Sequence, residues 1–208
     1  MEIELKYTIR DPKTAEAIWM DPDLRSMEEK STRESNDFNG TYYDTEDHRL
    51  FKNDIAFRMR EEGQKLVASL KWNGNSTGAL HKREELNINL GEGKVPEHPD
   101  PTIFRESDEG KEMIELLEDK ELFKMMQVNV LRRSFRVDTG DSIFEISLDN
   151  GSIQAGNGSV PVCELEIELY SGNEEDMKEL GEKLQKKYEL VPEKNSKFAR
   201  GLKLLGMI

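Results

Sequence analysis

The feature that most constrains this chain is a period-two alternation in which the second face is charged rather than merely polar. Alternation of this kind favours strands over helices. It runs through residues 1–10, 34–44, 53–62, 65–73, 80–90, 128–138, 142–150 and 160–171. The separators carry turn residues: Glu62-Gly63, Asn73 to Gly78, Thr139-Gly140-Asp141 and Gly156-Asn157-Gly158. Eight strands in meandering order predict a closed antiparallel barrel or tunnel, flanked by helices, of the α+β class.

The two faces can be read off by parity. Ile3, Leu5 and Tyr7 oppose Glu2, Glu4 and Lys6, and Ile55, Phe57 and Met59 oppose Arg58 and Arg60. Leu66, Ala68, Leu70 and Trp72 oppose Ser69 and Lys71, while Leu86, Ile88 and Leu90 oppose Arg83, Glu85 and Asn87. Phe144, Ile146 and Leu148 stand against Glu145, Ser147 and Asp149. Cys163, Leu165, Ile167 and Leu169 stand against Glu164, Glu166 and Glu168. Taken one strand at a time, each charged face reads as a solvated surface. The set resists that reading, because three carboxylates in a row, or Arg58 beside Arg60, repel each other unless opposite charge lies near. Turning the charged faces inward unites them. The lumen then holds Glu2, Glu4, Glu85, Glu145, Asp149, Glu164, Glu166 and Glu168 with Lys6, Arg58, Arg60, Lys71, Arg83, Arg132, Arg136, Lys197 and Arg200. Acids and bases are then nearly balanced inside. A charged interior also explains a composition of only 35% apolar and 35% charged residues, which is poor in material for an ordinary core. Carboxylates hold a hard divalent cation, while guanidinium and ammonium groups hold phosphate oxygens.

Helical patterns are expected at 12–30 (interrupted at Pro22), 107–126, 173–190 after Asn173, and 196–205. The 107–126 pattern rests on Met113, Leu116, Leu117 and Phe123 and reads as a helical insertion at about 104–127 in one domain spanning 1–208. The net charge of −13 disfavours nucleic acid and anionic membranes as partners. No apolar run approaches membrane-spanning length, and MEIELK does not resemble a leader, so a cytoplasmic protein is expected. Cys163 is the only cysteine, which excludes an intrachain disulfide and a thiol-rich metal site. Parity puts it on an apolar face as a packed thiol. His48, His81 and His98 lack metal-ligand spacing; His81 alone adjoins the expected tunnel, in HKRE.

MEIELK fits the Glu-x-Glu-x-Lys signature of the CYTH domain, the triphosphate tunnel metalloenzyme superfamily. TYYDTEDHRL, AFRMR, ASLKWNG, HKREELNINL, IFEISLDNGSIQAG, CELEIELYSG and SKFARGLKLL follow in the family's order, the last three resembling its bacterial inorganic triphosphatase branch. The resemblance covers nearly the whole chain and leaves no stretch for the CHAD domain that often follows. It implies an eight-stranded tunnel that hydrolyses the terminal phosphoanhydride of a linear triphosphate. The implied metal ligands are Glu2 and Glu4 with Glu164, Glu166 and Glu168, joined by Glu145 and Asp149. The implied substrate ligands are Lys6, Arg58, Arg60, Lys71, Arg83, Lys197 and Arg200, with Arg132 or Arg136 from RRSFR. Lys6, Glu85 and Asp149 are the candidates for the chemistry, Asp149 or Glu85 assisting the water. Mg²⁺ or Mn²⁺ is the implied cofactor, two ions with substrate bound, and the enzyme is expected as a monomer or homodimer.

Phosphoryl transfer asks mainly for charge neutralisation and in-line positioning, which suits such a lumen. Inorganic triphosphate is the leading substrate. Organic triphosphates (thiamine triphosphate or a nucleotide) and class IV adenylyl cyclase chemistry require a ring pocket. Phe57, Trp72 and Phe144 point outward by parity, which disfavours one. A non-catalytic polyphosphate-binding module would not require so many carboxylates.

Overall fold

A computed structural model describes every residue, Met1–Ile208. Eight long strands form the wall: β1 (Glu2–Thr8), β2 (Glu34–Asp44), β3 (Ala56–Glu62), β4 (Lys65–Thr77), β5 (Leu80–Glu92), β6 (Phe123–Asp138), β7 (Ile143–Ala155) and β8 (Gly158–Ser171). Every pairing is antiparallel, in the order β5-β4-β3-β2-β6-β7-β8-β1, and β1 pairs with β5 to close the barrel. The chain is therefore not one meander. Two meanders, β2 to β5 and β6 to β8, are joined by β2–β6 on one side and by β1 on the other. A two-residue strand, β9 (Val191–Pro192), pairs with the end of β1.

The helices are α1 (Pro12–Trp19), α2 (Pro22–Ser26), α3 (Arg49–Lys52), α4 (Asp108–Leu117), α5 (Glu174–Tyr188) and α6 (Lys197–Leu204). Pro22 restarts the chain as a helix. It occupies the first turn of α2, and the Asp21 carboxylate caps that turn through the backbone N–H groups of Asp23 (2.8 Å) and Leu24 (3.0 Å). Asn173 caps α5 and Ser196 caps α6, as the sequence predicts for the former.

The expected helix over 107–126 is corrected. It stops at Leu117, where Glu118 and Asp119 take left-handed backbone (φ 48° and 59°), and Phe123 already belongs to β6. Residues 123–126 instead pair with Tyr42 to Asp44 of β2, so the ladder hydrogen bonds win over the helical spacing of Phe123.

The outward apolar faces are buried beneath helices. Phe144, Ile146, Leu165 and Ile167 have no exposure and pack with Ile18, Met177, Leu180 and Leu184 of α1 and α5. Phe57, Ala68 and Leu70 pack likewise with Leu50, Met113 and Leu117 of α3 and α4. α5 lies so close to β1 that a Cβ on Gly181 would sit 2.4 Å from Leu5 Cδ1. A third cluster lies on the inward side. Tyr42, Ala56, Met126, Val128, Val130, Ile153, Ala155 and Val162 surround Leu202 and Phe198 of α6. Helix α6 thus covers no outward face. It fills one end of the barrel, where a Cβ on Gly201 would meet Met126 Sδ at 2.1 Å.

Candidate active site

Alternation places the charged residues of β1, β3, β4, β5, β6, β7 and β8 on the inner wall, and α6 adds Lys197. A single narrow cavity is lined by Glu2, Glu4, Lys6, Arg58, Arg60, Lys71, Arg83, Arg132, Asp149, Glu166, Glu168 and Lys197. The ion pairs form a connected lattice. Lys71 Nζ lies 3.0 Å from both Glu2 and Glu85, and Arg83 lies 3.0 Å from Glu2 and 3.3 Å from Glu4. Lys6 bridges Glu4 (3.0 Å) and Glu166 (2.8 Å). Arg132 binds Asp149 through two bonds of 2.7 Å and also reaches Glu166. Lys197 Nζ is surrounded by Asp149 (2.8 Å), Glu164 (2.8 Å) and Glu166 (2.7 Å).

These pairs shift the titration of their members. Burial opposes ionisation throughout, yet Lys197, Lys6 and Arg132 hold the Glu166 carboxyl well below its usual range, and Arg132 and Lys197 lower Asp149. Those carboxylates in turn raise Lys197 well above an ordinary lysine. Glu168 goes the other way. Burial, then repulsion from Glu2, Glu4 and Glu145, pushes it up to about 8, and no cation pairs with it. Arg60 is crowded by like charge; burial and Arg58 lower it to about 10. Arg58 faces Glu85 at 3.7 Å, and its Nε is buried without an acceptor. So many desolvated ion pairs contribute little net stability. They make sense as a prepared site.

Five of the predicted residues fall outside that cavity. Glu85 stands behind Lys71 and Arg58, and Glu164 behind Lys197 and Arg200. Arg200 pairs with Glu164 and, at 3.6 Å, with Glu193. Arg136 and Glu145 share the inward face but lie at the rim, 3.9 Å apart and each about one-third exposed. Arg136 stacks on Tyr170 at 3.9 Å. Arg132 is therefore the arginine of RRSFR that lines the tunnel.

The profile of the CYTH domain matches residues 1–202. The chain belongs to the CYTH family. A curated relative, the inorganic triphosphatase of Haemophilus influenzae, is 34% identical over 166 residues, which is 80% of this chain and 45% of that protein. The chain spans about half the length of that relative. Among solved structures, a Hippeastrum protein described as having a dominant triphosphatase activity superposes with a TM-score of 0.62 at 20% identity, covering 100% of this chain and 97% of that one. The PH1819 protein of Pyrococcus horikoshii gives a TM-score of 0.55 at 18% identity, covering 98% and 99%. At such identities the likeness concerns the fold.

Two tunnel residues of this CYTH domain escape the reading of its sequence. Phe38 and Tyr42 of β2 line the cavity; the outward parity of Phe57, Trp72 and Phe144, which disfavours a ring pocket, does not extend to them. Phe38 lies between the Arg60 and Arg132 guanidiniums, 4.7 and 5.2 Å from its ring centre. Tyr42 packs on Phe198 of α6, and despite its burial Arg58, Lys71 and Arg83 lower its phenol. The signal was register: Tyr42 pairs with Arg58 and Gly40 with Arg60, so all four share a face. Phe57 and Phe144 do point outward, as parity predicts. Asp44 of the same segment serves the fold, accepting the N–H groups of Leu50 and Phe51 at 2.9 Å to start α3.

CYTH triphosphate tunnel enzymes generally depend on a divalent metal. As the side chains stand, no group of three carboxylates is open to a metal ion; where Asp149, Glu164 and Glu166 converge, the Lys197 ammonium group fills the point. The donor chemistry nevertheless fits a hard cation. Glu168 stands half-buried among Glu2, Glu4 and Glu145 with no cation of its own, an arrangement that positive charge relieves.

That cluster predicts an unusual pH dependence for the metal-free protein. Glu168 binds its proton more tightly when folded (about 8 against 4.5), so its contribution to stability is complete below 4.5 and lost as pH rises toward 8. Asp149 and Glu166 have the opposite sign; their contribution is lost only as pH falls below the usual carboxylate range. Glu168→Gln should therefore stabilise the metal-free protein by about 1–3 kcal/mol near pH ~8.5 and do little near pH ~5. Melting of both proteins across that range checks this. Equal pH slopes would mean that Glu168 is not pressed against the other three.

Proposed function

We propose that this chain is a divalent-metal-dependent hydrolase of the terminal phosphoanhydride of inorganic triphosphate. The observation that carries the reading is the tunnel itself: a row of lysines and arginines facing a row of carboxylates, with Glu168 left unpaired. The reading includes Mg²⁺ or Mn²⁺, two ions when substrate is bound, and a cytoplasmic monomer or homodimer acting on a small anion.

The free space in the tunnel is only about 60 Å³, room for a few waters. Substrate therefore binds by exchange. Phosphate oxygens take over Lys6, Arg58, Arg60, Lys71 and Arg83 from their carboxylate partners and share Arg132 and Lys197 with Asp149, at little cost because charge-assisted bonds are traded for others of the same kind. The Arg58 Nε, which has no acceptor, gains one. The carboxylates released by this exchange, Glu2 and Glu4 beside Glu168, would hold the cation. When bound, the cation neutralises phosphate charge and polarises water. Once Lys71 and Arg58 turn toward phosphate, Glu85 loses both its partners and becomes able to accept the proton of the attacking water. Asp149, held by Arg132 and Lys197, keeps those two cations aimed.

One observation favours a second reading, an organic triphosphate. A cavity of about 310 Å³ beside the tunnel shares Lys71, Arg83 and Ser196 with it and is walled by Phe51, Trp72 and Phe198. Phosphate release from tripolyphosphate, pyrophosphate, ATP and thiamine triphosphate separates the readings. We expect tripolyphosphate to turn over fastest and pyrophosphate slowly or not at all. A preference for ATP or thiamine triphosphate, or formation of cyclic AMP, would transfer the assignment to the second reading.

A further inference from the structure

His81 is the only histidine that is fully buried, at 4% exposure, and nothing in the proposed chemistry uses it. It stands on β5 two residues before Arg83, on the inward face, and pairs across the barrel seam with Glu4 of β1. Its Nε2 lies 2.7 Å from the carbonyl oxygen of Glu193. A carbonyl oxygen only accepts, so Nε2 carries the hydrogen and donates.

Glu193 belongs to the short connection between β9 and α6. Its N–H donates to the carbonyl of Lys6 at 3.0 Å, and the next residue's carbonyl accepts from Ser76 Oγ at 3.3 Å. The Ser76 bond is exposed, whereas the His81 bond is the short one made from the inner wall. Ser196 then caps α6, and the first residue of that helix is Lys197. Lys197 reaches Asp149, Glu164 and Glu166 within 2.8 Å, and Arg200, one turn later, reaches Glu164. Three residues separate the His81 contact at Glu193 from Lys197, too few to absorb a slip without moving the ammonium group. An imidazole buried beside Lys6, Glu4 and Arg83 is a poor apolar filler, and a specific hydrogen bond accounts for its presence.

We propose that His81 is a positioning residue: its Nε2–H latches the segment that launches α6 and so sets Lys197 in the tunnel. The inference rests on reading the tunnel as a triphosphate site, and its test separates the two. His81→Leu removes the donor while keeping bulk, and His81→Gln supplies an amide donor. Each is made in the native chain and in Lys197→Ala, and tripolyphosphate binding is measured by calorimetry in metal-free buffer, where no turnover intervenes. Hydrogen exchange is followed at the amides of 193–204.

We expect His81→Leu to weaken binding about 10-fold in the native chain and less than about 2-fold in Lys197→Ala, the non-additivity of a residue that acts through another. Exchange over 193–204 should quicken by about 10-fold or more while the melting temperature moves little. His81→Gln should recover most of both. Equal losses in the two backgrounds, or unchanged exchange at 193–204, would overturn the latch. If the native chain does not bind tripolyphosphate, the substrate reading fails, and exchange alone decides for or against the latch. Should His81→Leu not fold, His81→Asn, whose amide stops short of the Glu193 carbonyl, carries the same expectations.

Discussion

Glu4→Ala should lower tripolyphosphate turnover by more than the ~10–100-fold typical of losing a group one step removed from a metal. Glu4 is buried to 3% exposure between Lys6 at 3.0 Å and Arg83 at 3.3 Å, in the cluster that presses on Glu168. Removing it takes away a hard ligand for the cation. The fold should survive, because Lys6 keeps Glu166, Arg83 keeps Glu2, and repulsion on Glu168 falls. No buried charge is stranded, which is the circumstance that makes breaking an interior pair costly. Turnover and melting measured on one preparation test both halves. A variant that keeps more than about a tenth of native turnover would remove Glu4 from the proposed metal set.

The second large effect is a contrast between the two sides of the barrel wall. Ile167 has no exposure and packs outside the barrel with Phe144, Ile146 and Leu165 against the α1 and α5 cluster. Ile167→Ala should cost about 2–5 kcal/mol, and each of those kcal/mol lowers the melting temperature by roughly 2–4 °C in a chain of this size. Arg58 lies inside. Arg58→Ala should reduce turnover at low substrate by about 10²-fold or more, since it deletes a preorganised partner for phosphate oxygens. Its melting temperature should hardly fall, because Glu85 retains Lys71 and Arg60 loses a repulsive neighbour. If Arg58→Ala keeps native turnover at low substrate, the charged faces are a solvated surface and not the site.

Parity was enough to assign faces. Leu5, Phe57, Leu70, Phe144 and Ile167 lie outward beneath helices, and the charged residues beside them lie inward. Parity says nothing of depth along a strand. Arg136 and Arg132 share a face, as do Glu145 and Asp149, yet one of each lies at the rim and the other in the tunnel. Depth follows from register and tilt, which no local pattern encodes. A second limit, long-range pairing, hid Phe38 and Tyr42 of β2, the strand whose face parity did not assign and pairing with β3 sets, across a connection that contains α3. It also hid the place of β1 between β8 and β5, a long-range pairing made by a strand whose own sequence would suit many neighbours. Helix α6 was legible as a helix. Its burial in the barrel end was not, because Phe198 and Leu202 pack against inward residues of five different strands.

The most direct test of the account is phosphate release from tripolyphosphate by metal-stripped protein in excess chelator, before and after Mg²⁺ or Mn²⁺ is added back. The carboxylate cluster around Glu168 and the cation row opposite it predict no release in chelator and full release once the metal returns. Undiminished release in chelator would contradict the metal-dependent tunnel on which the proposed function rests.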